Sequence, residues 1–298
     1  MALNFNRILI ISDIEGSSCC WNYQASSFKT REWSIACVEM SRDVNAVVKA
    51  LFDAGVKQIT VKDFHRTGYN LLPEFIDSRA RIISGYRRGQ VPGIGDHYNS
   101  EAVMFLGMHA ASGTGGFLAH TLTSRIERLE VNGKPMAEVE LFSASLAPYG
   151  MRPIFFSGCP VACAQAKERI KKIDFYPIDK SIGKQRFDVD LWRSGLVNKA
   201  VKSLGNVFTE PYIPNGPFKA VITMRDGKEE ARKLAQRWSF EHEGSIIFIK
   251  SPNIHNLYSS LIRLCYLTPF IEKILPIALL FYNLRGRAGL SWVRRHRM

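Results

Sequence analysis

Short apolar segments alternate with helix-forming stretches along the first two thirds of this chain, and this alternation constrains the fold more than any other feature. Apolar runs of this length are typical of strands that are buried on both faces of a parallel sheet. We therefore predict an α/β fold with a mostly parallel sheet flanked by helices. The predicted strands are 8–12, 58–62, 102–108, 138–142 and 153–157, and the predicted helices are 42–54, capped by Ser41, and 161–172.

The pattern changes after about residue 195, where Pro211, Pro214 and Pro217 interrupt the chain. We therefore predict an α/β metal-binding catalytic domain over 1–195 and a smaller α+β domain over 196–298 with a basic helical C-terminal tail. The elements predicted in the second part are a strand over 220–224, a helix over 227–238 capped by Asp226, a strand around 245–250 and a long helical end.

Side chains that can bind a metal ion follow three of the predicted strands. The first strand runs into Asp13 and Glu15, which can face the same way because they are two residues apart in an extended backbone. The second strand leads to His65 and the third leads directly to His109. Ligands of parallel sheets bind outside the carboxyl ends of the strands, so we expect these side chains to meet there. With Glu138 as a further carboxylate, the set suits zinc or a similar ion and is large enough for two ions that share a carboxylate.

The composition is that of an ordinary globular protein. No run in the 298 residues approaches the ~20 apolar residues that a bilayer-spanning helix needs. Residues 1–7 also lack the pattern of a secretory signal, so we expect a cytoplasmic protein. The six cysteines are too sparse for a disulfide-stapled scaffold and lack the spacing of a zinc finger, so reduced thiols are expected.

The net charge of +13 raises the question of a polyanionic partner. Much of the excess is scattered, and no nucleic-acid-binding motif accompanies it, which argues against nucleic acid. A basic cluster at the C-terminus follows the apolar stretch 274–282. This tail could lie on an anionic membrane surface, pair with an acidic surface of another subunit, or remain solvated, and we favour the solvated end. The cluster consists of Arg285, Arg287, Arg294, Arg295 and Arg297.

Several motifs resemble those of one enzyme family. Residues 11–16 match an S-x-D-x-E-G signature except that Ile11 takes the place of the serine. The matches continue in the same order and with nearly constant spacing over about the first 150 residues. On these motifs the chain resembles the D-aminopeptidase DppA family of zinc metallopeptidases. The further matching segments are 61–65, 83–85, 105–110, 119–121 and 131–138.

The resemblance implies a dinuclear zinc site with two ions per chain. Asp13 would bridge the two ions, with Glu15 and His65 on one of them. The resemblance also implies that His109 and Glu138 hold the other ion. His120 matches a further family histidine with an expected role in catalysis.

The function implied by the resemblance is hydrolysis of N-terminal residues, D-amino acids among the candidates, from short peptides by a homo-oligomer, which is a decamer in the resembled family. The segment 157–160 departs from the acidic residues that relatives often have there, and this leaves substrate preference open. Two alternatives remain: a related metallohydrolase that acts on another amide, and a non-catalytic nucleic-acid or membrane-surface binding protein with the same fold.

Overall fold

The computed structural model describes residues 4–297, which form two β-sheets and eight α-helices. The strands are β1 (Arg7–Ser12), β2 (Gln58–Asp63), β3 (Arg81–Ile83), β4 (Ala102–Met108), β5 (Ile126–Val131), β6 (Lys134–Pro135), β7 (Arg152–Gly158), β8 (Asp174–Pro177), β9 (Phe218–Met224), β10 (Glu241–Glu243) and β11 (Ile246–Ser251). The helices are α1 (Arg31–Asp53), α2 (Glu138–Leu146), α3 (Pro160–Arg169), α4 (Val189–Ser203), α5 (Lys228–Trp238), α6 (Ile254–Tyr266), α7 (Pro269–Lys273) and α8 (Leu275–His296).

The larger sheet has six parallel strands in the order β3-β2-β1-β4-β7-β8. Its central strands are buried on both faces, and every residue of β4 is buried. Ser12 pairs in register with Asp63 on one side and with Leu106 on the other. The carboxyl ends of β1, β2 and β4 therefore lie side by side, and the predicted α/β fold is confirmed.

The smaller sheet has five antiparallel strands in the order β10-β11-β9-β5-β6. It joins two strands from the first half of the chain to three from the last third. Residue 195, where we predicted a domain boundary, lies within α4. The predicted boundary thus does not coincide with a break between elements.

Residues 138–142 were predicted as a strand, and this prediction was wrong, because Glu138 begins helix α2. All nine residues of α2 are buried, so the sequence shows no polar face that would reveal a helical period. The helix start is stabilised by Glu140, whose carboxylate accepts a hydrogen bond from the Ala137 amide at 3.0 Å.

Two predicted helix caps were also wrong. Helix α1 begins eleven residues before the predicted 42, after Thr30, whose hydroxyl accepts the amide of Trp33. Ser41 lies inside that helix and donates to the carbonyl of Cys37 one turn earlier. Asp226 does not cap α5, because its carboxylate pairs with Arg125 at 2.6 Å.

The long helical end is confirmed as α8, which contains the apolar stretch from Leu275 onward and four of the five clustered arginines. Its second half docks where two glycines lie against aromatic rings. A Cβ at Gly286 would lie 2.2 Å from the ring of Tyr69, and one at Gly289 would lie 2.3 Å from the ring of Phe28. None of the helices in residues 4–297 is long and apolar enough to cross a membrane.

Candidate metal centre

The loop that carries Asp13 and Glu15 is held against the end of β4 by backbone contacts. The Asp13 amide donates to Leu106 and the Gly16 amide donates to Gly107, each at 2.8 Å. Gly107 has a φ of +75°, and a Cβ there would lie 2.2 Å from the Asp13 carbonyl oxygen. Only glycine permits this approach, which fixes both carboxylates at the carboxyl edge of the sheet.

The first cluster of donors consists of Asp13, Glu15 and His65, which are all buried. One ligand atom from each lies within 4.8 Å of the others. The shortest approach joins His65 Nε2 and Glu15 Oε1 at 3.3 Å. Three donors from the ends of β1 and β2 therefore surround one point.

Asn70 sets the orientation of His65. The Asn70 side-chain oxygen lies 3.1 Å from His65 Nδ1, and the same oxygen accepts the Trp33 indole N–H at 2.9 Å. The Asn70 amide nitrogen donates to Asp63 Oδ1 at 2.9 Å and to the His65 carbonyl. Because an amide oxygen is only an acceptor, His65 carries its proton on Nδ1 and presents Nε2 to the cluster.

The second cluster consists of His109, His120 and Glu138, whose ligand atoms also lie within 4.8 Å of one another. His109 Nε2 lies 3.5 Å from Glu138 Oε1 and 3.4 Å from Asp13 Oδ2. Asp13 therefore connects the two clusters. The His120 ring stacks on the His109 ring, with centroids 3.7 Å apart and planes 15° apart.

Glu138 is held in place by the loop that also carries His120. The Leu122 amide donates to Glu138 Oε1 at 2.7 Å. The carbonyl of Leu122 in turn accepts the hydroxyl of Tyr266, the last residue of α6. His120 itself lies with Nδ1 2.8 Å from the Leu118 carbonyl oxygen, so Nδ1 carries the proton and Nε2 holds a lone pair.

The first cluster holds two buried carboxylates beside one imidazole. Burial, followed by the neighbouring Glu15 carboxylate, raises the pKa of Asp13 to about 6. Burial acts in the same direction on Glu15, but His65 outweighs it and holds the pKa of Glu15 well below its usual range. Burial disfavours the charged form of His65, yet Glu15 raises the pKa of that imidazole.

The second cluster separates the pKa values of its two imidazoles. Burial disfavours a charged His109, but Glu138 and Asp13 raise its pKa to about 10. Burial and the neighbouring His109 lower the pKa of His120. Burial also raises the pKa of Glu138. The surroundings therefore favour a protonated His109 and a neutral His120 in the absence of metal.

The donor set of imidazoles and carboxylates suits zinc. Glu15 Oε2 and His109 Nε2 are buried without a hydrogen-bond partner among residues 4–297. His65 Nε2 is an acceptor that faces a carboxylate oxygen, an arrangement that needs a cation or a proton between the two atoms. Zinc bonds of roughly 2.0–2.2 Å in a tetrahedron separate neighbouring ligand atoms by about 3.3–3.6 Å. The measured separations of 3.3, 3.4 and 3.5 Å agree with that spacing.

The structure brings all six of the predicted site residues together at one edge of the sheet. Sequence reasoning missed two residues that orient them, Asn70 and Tyr266. Asn70 lies five residues after His65 in a segment without regular structure, and Tyr266 is far away in the chain. Neither residue belongs to a recognisable sequence motif. The contact of Asn70 with His65 and that of Tyr266 with Leu122 form only in the tertiary structure.

Comparison with known proteins agrees with this fold. The sequence model of the D-aminopeptidase family, Peptidase_M55, matches residues 6–259. This match spans more than half of the chain, so the chain belongs to the D-aminopeptidase family.

Two proteins of Bacillus subtilis illustrate the similarity. A D-aminopeptidase of Bacillus subtilis (strain 168) is 24% identical over 147 residues, which are 49% of this chain and 53% of the relative. The matched part thus spans about half the length of that curated relative. The structure of a Zn-dependent D-aminopeptidase, DppA from Bacillus subtilis, described as a self-compartmentalizing protease, superposes with a TM-score of 0.78 at 18% identity. That match covers 88% of this chain and 97% of the relative.

Proposed function

We propose that this protein is a zinc-dependent aminopeptidase that removes N-terminal residues from short peptides, including peptides that begin with D-amino acids. The observation that carries the proposal is the pair of buried donor clusters joined by Asp13, with His120 beside them. Family membership and the zinc dependence of the structurally similar protease support it.

Five residues would hold two zinc ions per chain. Glu15 and His65 would bind one ion, His109 and Glu138 would bind the other, and Asp13 would be shared. When bound, the two ions polarise the scissile carbonyl and lower the pKa of the attacking water. The protein contributes the orientation of these donors through contacts such as those of Asn70 with His65.

His120 is the proposed general base. Its Nδ1–H donates to Leu118, so the Nε2 lone pair is available to a proton. Burial and His109 lower its pKa, which keeps the ring neutral near pH 7. In this position His120 takes a proton from the attacking water and returns it to the leaving amine.

A peptide library with D- and L-residues at the N-terminus tests the proposed function. Zinc-loaded protein should release N-terminal residues, and His120→Gln should lower kcat by about 100-fold or more with the zinc content unchanged. His97→Gln is the matched control, because His97 stacks on Tyr149 outside both donor clusters. It should retain full activity.

Other outcomes of the same assay would contradict the proposal. Failure of the zinc-loaded protein to cleave any peptide in the library would overturn it. Cleavage of non-peptide amides alone would favour the related metallohydrolase. Loss of zinc in the His120→Gln variant would show that His120 is a ligand rather than the base, which its place in the second cluster allows.

We also propose that the chain forms a homo-oligomer, with the decamer of the resembled family as the specific expectation. The support is the description of the structurally similar protease as self-compartmentalizing. Light scattering of the zinc-loaded protein tests this, and a monomer would contradict it. The cytoplasmic location stays a prediction.

A further inference from the structure

Helix α8 carries an apolar stripe that faces away from the rest of the protein. Ile277, Leu280, Phe281 and Leu284 are each between 46% and 66% exposed. Their spacing of i, i+3, i+4 and i+7 places them on one face of the helix. Phe270 of α7, 66% exposed, adds to the apolar surface of this end of the chain. An exposed row of large apolar side chains marks an interaction surface.

Arginines flank this stripe. At about 100° per residue, Arg285 and Arg287 fall on opposite sides of it, and Arg295 continues its line toward the C-terminus. Helix α8 contains no acidic residue. Arg294 and Arg297 pair with Glu74, whereas no carboxylate within residues 4–297 pairs with the other three arginines. The surface is therefore apolar along its middle and positive at its edges.

The stripe belongs to a segment outside the shared family sequence. The family match ends at residue 259, before α7 and α8 begin. The second half of α8 is nevertheless docked on the catalytic domain by Gly286 and Gly289, against Tyr69 and Phe28. The protein therefore holds α8 against Tyr69 and Phe28 with the apolar row outward.

We propose that α8 docks the protein on a membrane surface that carries anionic lipids. A helix with an apolar row and flanking arginines lies in the interface of a bilayer, where the row enters the acyl boundary and the arginines meet the headgroups. Charge complementarity favours this occupant over a second copy of the chain. A second copy that met this stripe through its own α8 would bring the same arginines together, and α8 contains no acidic residue to pair with them.

Flotation of the full-length, zinc-loaded protein with vesicles tests the proposal. The protein should float with vesicles of phosphatidylcholine and phosphatidylglycerol, and flotation should fall with added salt because screening weakens the headgroup contacts. The double variant Phe281→Ser/Leu284→Ser should lower the partition coefficient by more than about tenfold, since two large side chains no longer enter the bilayer. Both side chains are exposed, so the variant should fold, as its thermal midpoint will show.

The matched control is Leu191→Ser on α4, because Leu191 is even more exposed, at 72%, but lies outside the stripe. It should leave flotation unchanged. Absence of flotation with anionic vesicles would overturn the proposal, as would equal binding to pure phosphatidylcholine. A decrease in molecular mass of the double variant without vesicle binding by the parent protein would assign the stripe to a second copy instead.

Discussion

Asn70 shapes the first donor cluster although it offers no ligand atom of its own. It links His65, Asp63 and the indole of Trp33 through its side-chain amide. We expect Asn70→Ala to lower zinc affinity by about 10- to 100-fold, because His65 loses the acceptor that fixes its ring and tautomer. Chelator competition measures the affinity. The control is Asn206→Ala, because the Asn206 side chain donates a hydrogen bond to Asp174, outside both donor clusters. Unchanged affinity in a folded Asn70→Ala protein would show that ring orientation is set elsewhere.

The proton affinity of His109 predicts how zinc binding responds to pH. Burial opposes the imidazolium, but Glu138 and Asp13 raise the pKa of His109 to about 10 in the metal-free protein. Zinc requires the neutral imidazole, so below that pKa the ion that His109 binds must displace a proton. We expect the apparent zinc affinity to rise between about pH 6 and pH 9, by up to tenfold per pH unit for each proton displaced. Titration in a metal buffer measures this, and an affinity that is flat or falls over this range would contradict the assignment.

The same pKa predicts the stability of the metal-free protein. A histidine whose pKa is raised on folding stabilises the native state fully below its unfolded value near 6.5. That contribution is lost as the pH rises toward about 10. The metal-free protein should therefore lose stability over this window while His109→Gln loses less, and urea titrations at several pH values compare them. Parallel pH profiles would count against a protonated His109.

At the scale of elements, the close approach of the β1 loop to β4 positions Asp13. Gly107→Ala would place a Cβ 2.2 Å from the Asp13 carbonyl in a backbone with a φ of +75°. We expect a loss of unfolding free energy above about 2 kcal/mol together with weakened zinc binding, because the loop must move. Gly133→Ala is the matched control, with a φ of +76° and nothing within 4 Å of its Cβ. It should cost only about 1 kcal/mol and leave zinc binding intact. Similar effects of the two substitutions would show that the clash does not matter.

Part of the fold and of the metal centre could be predicted from the sequence alone. Apolar runs ending in Asp13, near His65 and at His109 predicted strands whose ends lie together, because parallel strands deliver their carboxyl ends to one edge. Glu138 had the weakest local signal of the predicted donors, since its own segment was predicted as a strand and is helix α2, and the family motifs gave it a specific role. Because α2 is buried on all sides, its sequence lacks the alternation of polar and apolar residues that reveals a helix. The contacts of Asn70 and Tyr266 join distant parts of the fold, and no local sequence pattern predicts them.

At the scale of the whole molecule, the two parts on either side of residue 195 share the antiparallel sheet. Strand β5 pairs with β9, and β9 pairs with β11, so the smaller sheet cannot form without both parts of the chain. We expect one cooperative unfolding transition in calorimetry of the metal-free protein. Two transitions, with a proteolytic fragment ending near residue 195 that retains one of them, would instead favour two independent domains.

The central claim is that five residues of this centre hold two zinc ions that share Asp13, with His120 beside them as the base. The direct measurement is the zinc-to-chain ratio of the protein after dialysis against a weak chelator, by elemental analysis of the parent protein and of Asp13→Ala. We predict two zinc ions per chain in the parent and a loss of both in the variant, because each cluster loses a donor. A parent protein that retains no zinc, or a variant that keeps the full complement, would contradict the account.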